Sequence, residues 1–282
     1  DVAEACALRY LIEGEGVMGK KALTIIRNAL PVVTYPDKQD ITREKCATVL
    51  TAAIVYDWCF PLLSPADKAL VIKHMKRIAK LTEIGYPPFR QGAVTGHGGE
   101  AQLMRDQLGA GIAVFDEDPE IFNFAAGRFF AEFVPARDFF YPSHWHHQGS
   151  SYCPYRFQWA LFASWIFKRM LGTNVFSAEQ GQLPYAWLYA RRPDGAILAE
   201  GDAGMLPRRQ SDAPHPSLAD FLAASYYRDP VLTAESTRRI AGKDRISYLP
   251  LYFLFADPTG MPAKLGALPL TRYFADPAGI LA

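Results

Sequence analysis

Between Tyr141 and Trp159 the chain reads YPSHWHHQGSSYCPYRFQW, which sets three histidines, three tyrosines and an arginine within nineteen residues. Side chains of these types move protons and hold anions. Tyr152 and Arg156 stand four apart, with Gly149 and Pro154 on either side of the tyrosine. This spacing predicts a loop that turns into a helix with proline in its first turn, a position where proline is tolerated. On a helix, residues four apart share a face. A guanidinium there favours the phenolate and draws the tyrosine below its usual pKa of about 10. Packing as a polar, aromatic core accounts for the same composition, and from this stretch alone both readings stay open.

A second constellation is GHGGE at Gly96 to Glu100. His97 and Glu100 lie three apart and face the same way if the turn is helical. The flanking glycines let backbone or ligand approach closely. Pairs of this kind also occur as surface caps, so the motif is weak by itself. His144, His146 and His147 invite a zinc reading. Adjacent histidines do not easily ligate one ion, and no H-E-x-x-H is present, so no metal site is expected within this chain. There is no G-x-S-x-G elbow, Walker loop or G-x-G-x-x-G. Asp106, Asp116 and Asp202 supply carboxylates, but no spacing selects a pair for glycoside hydrolysis. Trp145, Tyr155, Trp159 and Tyr185 offer flat faces to sugar rings or, more commonly, fill a core.

The elements that must position these residues are helical. Apolar residues recur at spacings of three and four over Val2–Ile12, Lys20–Leu30 and a third segment from Thr42 to Trp58. Ser64-Pro65-Ala66-Asp67 reads as a helix start, with serine as N-cap, proline at the first position and an acid in the first turn. That helix is predicted to run through Lys80. Gly85 to Gly99 is predicted as a long loop, a length usually tied to function. Further helices are expected over Glu100–Val114, from Asp118-Pro119 to Phe133, from near Tyr152 to Leu171, and over Gln180–Tyr189, Ser217–Tyr226 and Ser247–Phe255. The best strand candidate is Ala196–Ala199. Short connections between helices argue for antiparallel hairpins and an all-α fold.

With 282 residues, half of them hydrophobic, the chain can bury a large core. A formal charge of +1 provides no basic field, so nucleic acid is not expected as a partner. No apolar run reaches the length of a membrane span, and no signal peptide opens the sequence. The start at Asp1, already in a helical pattern, suggests processing or truncation. The four cysteines are widely spaced and indicate neither a zinc ribbon nor a disulfide framework.

The strings AIVYDWCF (Ala53–Phe60), GYPP (Gly85–Pro88), GHGGE (Gly96–Glu100), AAGRFF (Ala125–Phe130), FYPSHWHHQGSSY (Phe140–Tyr152), RRPDG (Arg191–Gly195) and LPLTRY (Leu268–Tyr273) together resemble the heparinase II/III group of polysaccharide lyases. The likeness runs over nearly the whole chain, in order, and is nearest to the helical region of heparinase II. It implies an incomplete (α/α) toroid over residues 1–265. Residues 266–282 would be a linker or the start of a β-sandwich region absent from this sequence. By position, Tyr152 resembles the catalytic tyrosine, Glu100 the acid that neutralises a uronate carboxylate, and His97 its accompanying histidine. Arg156 would contact substrate, on the strength of its spacing more than of the family, and His147 is a candidate for substrate contact or, equally, a satisfied structural histidine. The group's second catalytic histidine and its zinc ligands belong to the β region, so the resemblance implies no cofactor here and leaves the activity of this stretch alone in doubt.

The implied activity is β-elimination on a sulfated glycosaminoglycan, heparin or heparan sulfate, by a periplasmic or secreted protein, with a homodimer suggested. The expected obstacle is that the C5 proton sits beside an ionised carboxylate. A glutamate buried against that carboxylate is raised in pKa and can share a proton with it. His97 would stabilise the developing enolate. Arg90, Lys168, Arg208 and Arg209 are candidates for sulfate contacts or plain surface charge. Two alternatives stay open: a lyase for another uronate polymer such as alginate, and a glycan-binding toroid without activity.

Overall fold

The structure, a computed structural model, describes residues 2–36, 41–85, 94–95, 98–192, 196–197, 208–209, 218–240, 254–255, 260–263, 266 and 268–281. These residues are mostly helical, as an all-α chain requires, with two small two-stranded pieces. The chain divides into two compact units, Asp1–Phe133 and Val134–Ala282. This division falls within the helical region and does not bear on the boundary expected at residue 265, since 264 and 265 lie outside the described residues.

The first unit holds α1 (Val2–Glu13), α2 (Gly16–Ala29), α3 (Thr42–Trp58), α4 (Pro65–Ala79), the short α5 (Gly99–Ala101), α6 (Leu108–Ala113) and α7 (Glu120–Arg128). Helix α3 packs against α1, α2, α4 and α6. Its buried residues therefore surround it instead of forming a stripe, and Ala52 and Ala53 let the neighbours come close. Leu23, Ile26, Val49, Tyr56, Val71, Met75, Ile78 and Ile121 fill the space between these helices. Burying each large apolar side chain contributes about 1.5–3 kcal/mol.

The predicted start of α4 is present in full. Ser64 Oγ accepts the Asp67 N–H at 3.2 Å, and an Asp67 carboxylate oxygen accepts the Ser64 N–H at 2.9 Å. A reciprocal cap of this kind satisfies two otherwise orphan donors. The helix expected over Glu100–Val114 is interrupted by a wide π turn at Gln102–Gln107, and a second π turn at Phe129–Phe133 follows α7. Gly111 is required by close packing. A Cβ there would lie 2.5 Å from the Phe122 nitrogen, so α6 and α7 meet backbone to backbone at this point.

The second unit holds α8 (Val134–Phe140), α9 (Gly149–Leu171), α10 (Pro184–Tyr189), α11 (Leu218–Tyr227) and α12 (Pro230–Ile240). Short 3₁₀ turns occupy Tyr141–Ser143 and Ala178–Gln182. Strand β1 (Ala196–Ile197) pairs antiparallel with β2 (Arg208–Arg209), and β3 (Tyr273–Phe274) pairs with β4 (Ile280–Leu281). The strand expected at Ala196 is thus present in its first two residues. Helix α9 packs on α10 and α11, with Phe157, Leu161, Trp187, Leu222 and Ala223 buried. Gly172, left-handed at φ 72°, ends α9 by donating its N–H to Lys168 C=O at 2.9 Å.

Several sequence expectations need correction. Pro154 is in the interior of α9, not in its first turn, because the helix already begins at Gly149. The helix expected over Gln180–Tyr189 is a 3₁₀ turn followed by α10, which starts at Pro184, where a missing N–H costs nothing. Helix α12 was not foreseen. Of the helix expected over Ser247–Phe255, only residues 254 and 255 are described, and these are helical.

Candidate functional site

The approach to α9 is built by a series of tight turns. The 3₁₀ turn at Tyr141–Ser143 closes on His144, whose backbone is left-handed at φ 58° and whose N–H donates to Tyr141 C=O at 2.9 Å. Ser143 Oγ donates to Phe140 C=O at 2.7 Å and accepts the Trp145 N–H at 3.1 Å. Asn and Asp adopt this left-handed backbone more readily than most residues, and histidine is also enriched there. Trp145 is buried against Phe274, Ala186 and Ala190, which anchors the turn.

His146 follows, 3% exposed, and its Nδ1 accepts the Gln148 N–H at 3.3 Å. This bond puts the neutral ring's proton on Nε2. Burial, then the nearby His147, Arg137 and Arg156, push its pKa well below the ordinary histidine value. His146 is therefore uncharged when folded. The unfolded chain takes up a proton as the pH falls below about 6.5 whereas the folded one resists it, so stability is lost on the acid side of that value. Acid unfolding of the His146→Gln variant is expected to begin at lower pH than in the parent, as read by circular dichroism between about pH 7 and about pH 4. An unchanged acid limb would contradict this.

His147 stands 4.5 Å from the His146 ring and meets Phe140 edge to face at 5.8 Å. Tyr152 lies in the first turn of α9, half-buried, and Arg156 sits one turn on, 8% exposed. The guanidinium carbon is 4.8 Å from the Tyr152 ring centre, a cation–π distance. The expected pairing is therefore formed, with the charge against the ring. Arg156 Nε and Gln148 Oε1 are both buried and have no hydrogen-bond partner among the described residues. Buried polar atoms are rarely left so, and a donor of this kind is suited to an incoming acceptor.

Glu100 belongs to the first unit, in α5, and is 1% exposed. The ground beneath it is tied down by glutamines. Gln102 accepts the Ile84 N–H at 3.2 Å, and Gln107 Nε2 donates to Gly85 C=O at 2.6 Å and Thr82 Oγ at 3.1 Å. Both glutamines lie in the π turn that follows α5. Such turns are frequent at functional sites. His97 lies outside the described residues, as do Arg90 and most of the loop expected over Gly85–Gly99. The structure thus brings Tyr152 and Arg156 together, with His147 on the turn before them, and places Glu100 in the other unit.

Two residues were missed by sequence reasoning. His146 was read only as part of a histidine cluster, and Arg137, 3% exposed, was not singled out. A basic residue within the apolar string FVPARDFF was the available signal. Two of the three histidines are held by other partners. His144 is engaged at Nε2 by Glu179 and at Nδ1 by Arg272, and His146 Nδ1 is taken by the backbone. Among the described residues, no group of three His, Cys, Asp or Glu side chains could hold a metal ion, and no helix is long and apolar enough to cross a membrane. No family model matches the chain, and no curated protein matches it.

Proposed function

We propose that this chain is the helical part of a polysaccharide lyase that cleaves a uronic-acid-containing glycosaminoglycan, heparin or heparan sulfate, by β-elimination. The observation that carries the reading is a buried guanidinium, Arg156, set 4.8 Å from the Tyr152 ring, with one donor lacking an acceptor among the described residues. The resemblance to the heparinase II/III group over FYPSHWHHQGSSY and GHGGE supports it. On this reading the helices form an incomplete (α/α) toroid, the protein is periplasmic or secreted and dimeric, and zinc belongs to a β region beyond this sequence.

Tyr152 as phenolate takes the C5 proton of the uronate. The C–H electron pair becomes the C4–C5 double bond, the C4–O bond breaks, and the phenol returns a proton to the departing oxygen. The Arg156 charge over the ring stabilises the phenolate. Glu100 shares a proton with the uronate carboxylate, so that the carbanion does not add a second full negative charge beside it. His97 donates to the developing enolate. His147 contacts the sugar.

The test is the ultraviolet absorbance of the unsaturated uronate released from heparan sulfate by the purified protein. Turnover of alginate in its place would move the reading to another polymer, and glycan retention without new absorbance would leave a binding module. For Glu100, substitution by Gln keeps hydrogen-bonding shape and is expected to retain part of the activity, whereas Glu100→Ala loses most of it. Equal activity of the two variants would remove Glu100 from the mechanism.

A further inference from the structure

Outside the proposed site, the second unit contains a chain of charged contacts that ends on the segment Leu268–Leu281. His144 Nε2 is hydrogen-bonded to the Glu179 carboxylate on the 3₁₀ turn Ala178–Gln182, and Arg272 Nη2 meets His144 Nδ1 at 2.9 Å. The same Nη2 donates to Gln182 Oε1 at 3.0 Å. A guanidinium can only donate, so Nδ1 accepts and the ring proton resides on Nε2, directed at Glu179. The imidazole is therefore neutral in this arrangement.

Further contacts dock the segment. Phe274 is fully buried against Trp145, with ring centres 4.9 Å apart, and also meets Tyr189. The Tyr189 hydroxyl donates to Pro269 C=O at 2.9 Å. The Arg272 guanidinium lies 5.0 Å from the Tyr185 ring and 5.4 Å from the Phe274 ring. Among the described residues, β3 and β4 pair only with each other. A lone two-stranded hairpin is marginal in water, so its order depends on this docking.

We propose that Glu179, His144 and Arg272 form an acid-released latch that holds Leu268–Leu281 against the turn leading into α9. Protonation puts a second N–H on His144, at Nδ1, facing the guanidinium. The Arg272 contact then sets donor against donor and cation against cation, while the bond to Glu179 becomes a full ion pair. The groups that face His144 fit a switch with one moving part. Glu179 on the 3₁₀ turn attracts the charged ring and Arg272 on the segment repels it. Tyr185 on α10, whose ring lies under Arg272, keeps its proton, because burial and its hydrogen bond to Asp229 push the phenol up. His146, on the same turn, stays uncharged.

The experiment is hydrogen exchange on the whole chain at about pH 7.5 and about pH 5, corrected for intrinsic rates, comparing amides 273–281 with amides inside α9. In the parent protein, protection of 273–281 is expected to fall by about tenfold more than that of α9 on acidification. His144→Gln keeps an acceptor toward Arg272 and a donor toward Glu179 without titrating, so the extra loss should vanish. His146 is retained in that variant, so any general acid loosening of the unit persists and is distinguishable. Arg272→Gln should show low protection of 273–281 at both pH values. The proposal is overturned if the parent segment keeps pace with α9, or if His144→Gln shows the parent's extra loss. Should His144→Gln fail to fold, equal protection of 273–281 in Arg272→Gln and the parent at neutral pH overturns it.

Discussion

Replacing Tyr152 by Phe is expected, on the proposed lyase reading, to lower turnover of heparan sulfate by about two to four orders of magnitude, the usual contribution of a matched acid–base group. The ring is kept, so its contact with the Arg156 guanidinium survives and the helix start is undisturbed. The hydroxyl is the only group lost, from a residue that is half-buried, and the thermal midpoint should move by no more than about 2 °C. The comparison is made in protein competent for the elimination, by initial rates of absorbance increase and by calorimetry. A variant that forms unsaturated product near the parent rate would sink the assignment of Tyr152. A variant that loses activity together with several degrees of stability would turn it into a packing residue. Because Arg156 is left in place, retained binding of heparan sulfate by Tyr152→Phe would separate loss of chemistry from loss of the site.

The largest expected effect on stability is at Trp187. Its side chain is fully buried, meets Phe157 at 6.0 Å, and its indole N–H donates to Asp220 at 2.9 Å on α11. Trp187→Ala is expected to cost about 3–5 kcal/mol through lost burial and the cavity left behind. Trp187→Phe keeps most of the apolar volume and removes the donor from an aspartate that is 1% exposed, at a cost of about 1–3 kcal/mol. Denaturant unfolding monitored by circular dichroism measures both. A loss below about 1 kcal/mol for the alanine variant would mean that α10 and α11 hold together without this residue.

Local chemistry was legible in the sequence to the extent that it is local. The serine cap at Ser64 needs only residues within one turn, and it is present as read. The Tyr152–Arg156 contact comes from helical spacing alone. Pro154 misled because proline marks a helix start more often than it sits inside one, and here the glycine at 149 begins the helix earlier. Helix α12 carried a signal that was passed over. Asp229 precedes Pro230, and its carboxylate accepts the N–H groups of Val231 and Leu232, at 2.9 and 3.0 Å. The tie between His144 and Arg272 spans 128 positions and had no local signature. The burial of Arg137 and His146 likewise depends on what packs around them, which spacing cannot convey.

The wide turn at Gln102–Gln107 has a bearing on any attempt to graft the GHGGE motif elsewhere. An added residue rotates the helix on its N-terminal side by about 100° relative to the helix on its C-terminal side. Glu100 is thus offset in angle from α6, whose Leu108 and Ala110 are buried, by an amount that a regular helix with the same letters would not reproduce. The aim of the carboxyl is stored in the winding of the main chain. A transplant that copied the five residues onto an unbroken helix would carry the functional groups and lose their bearing.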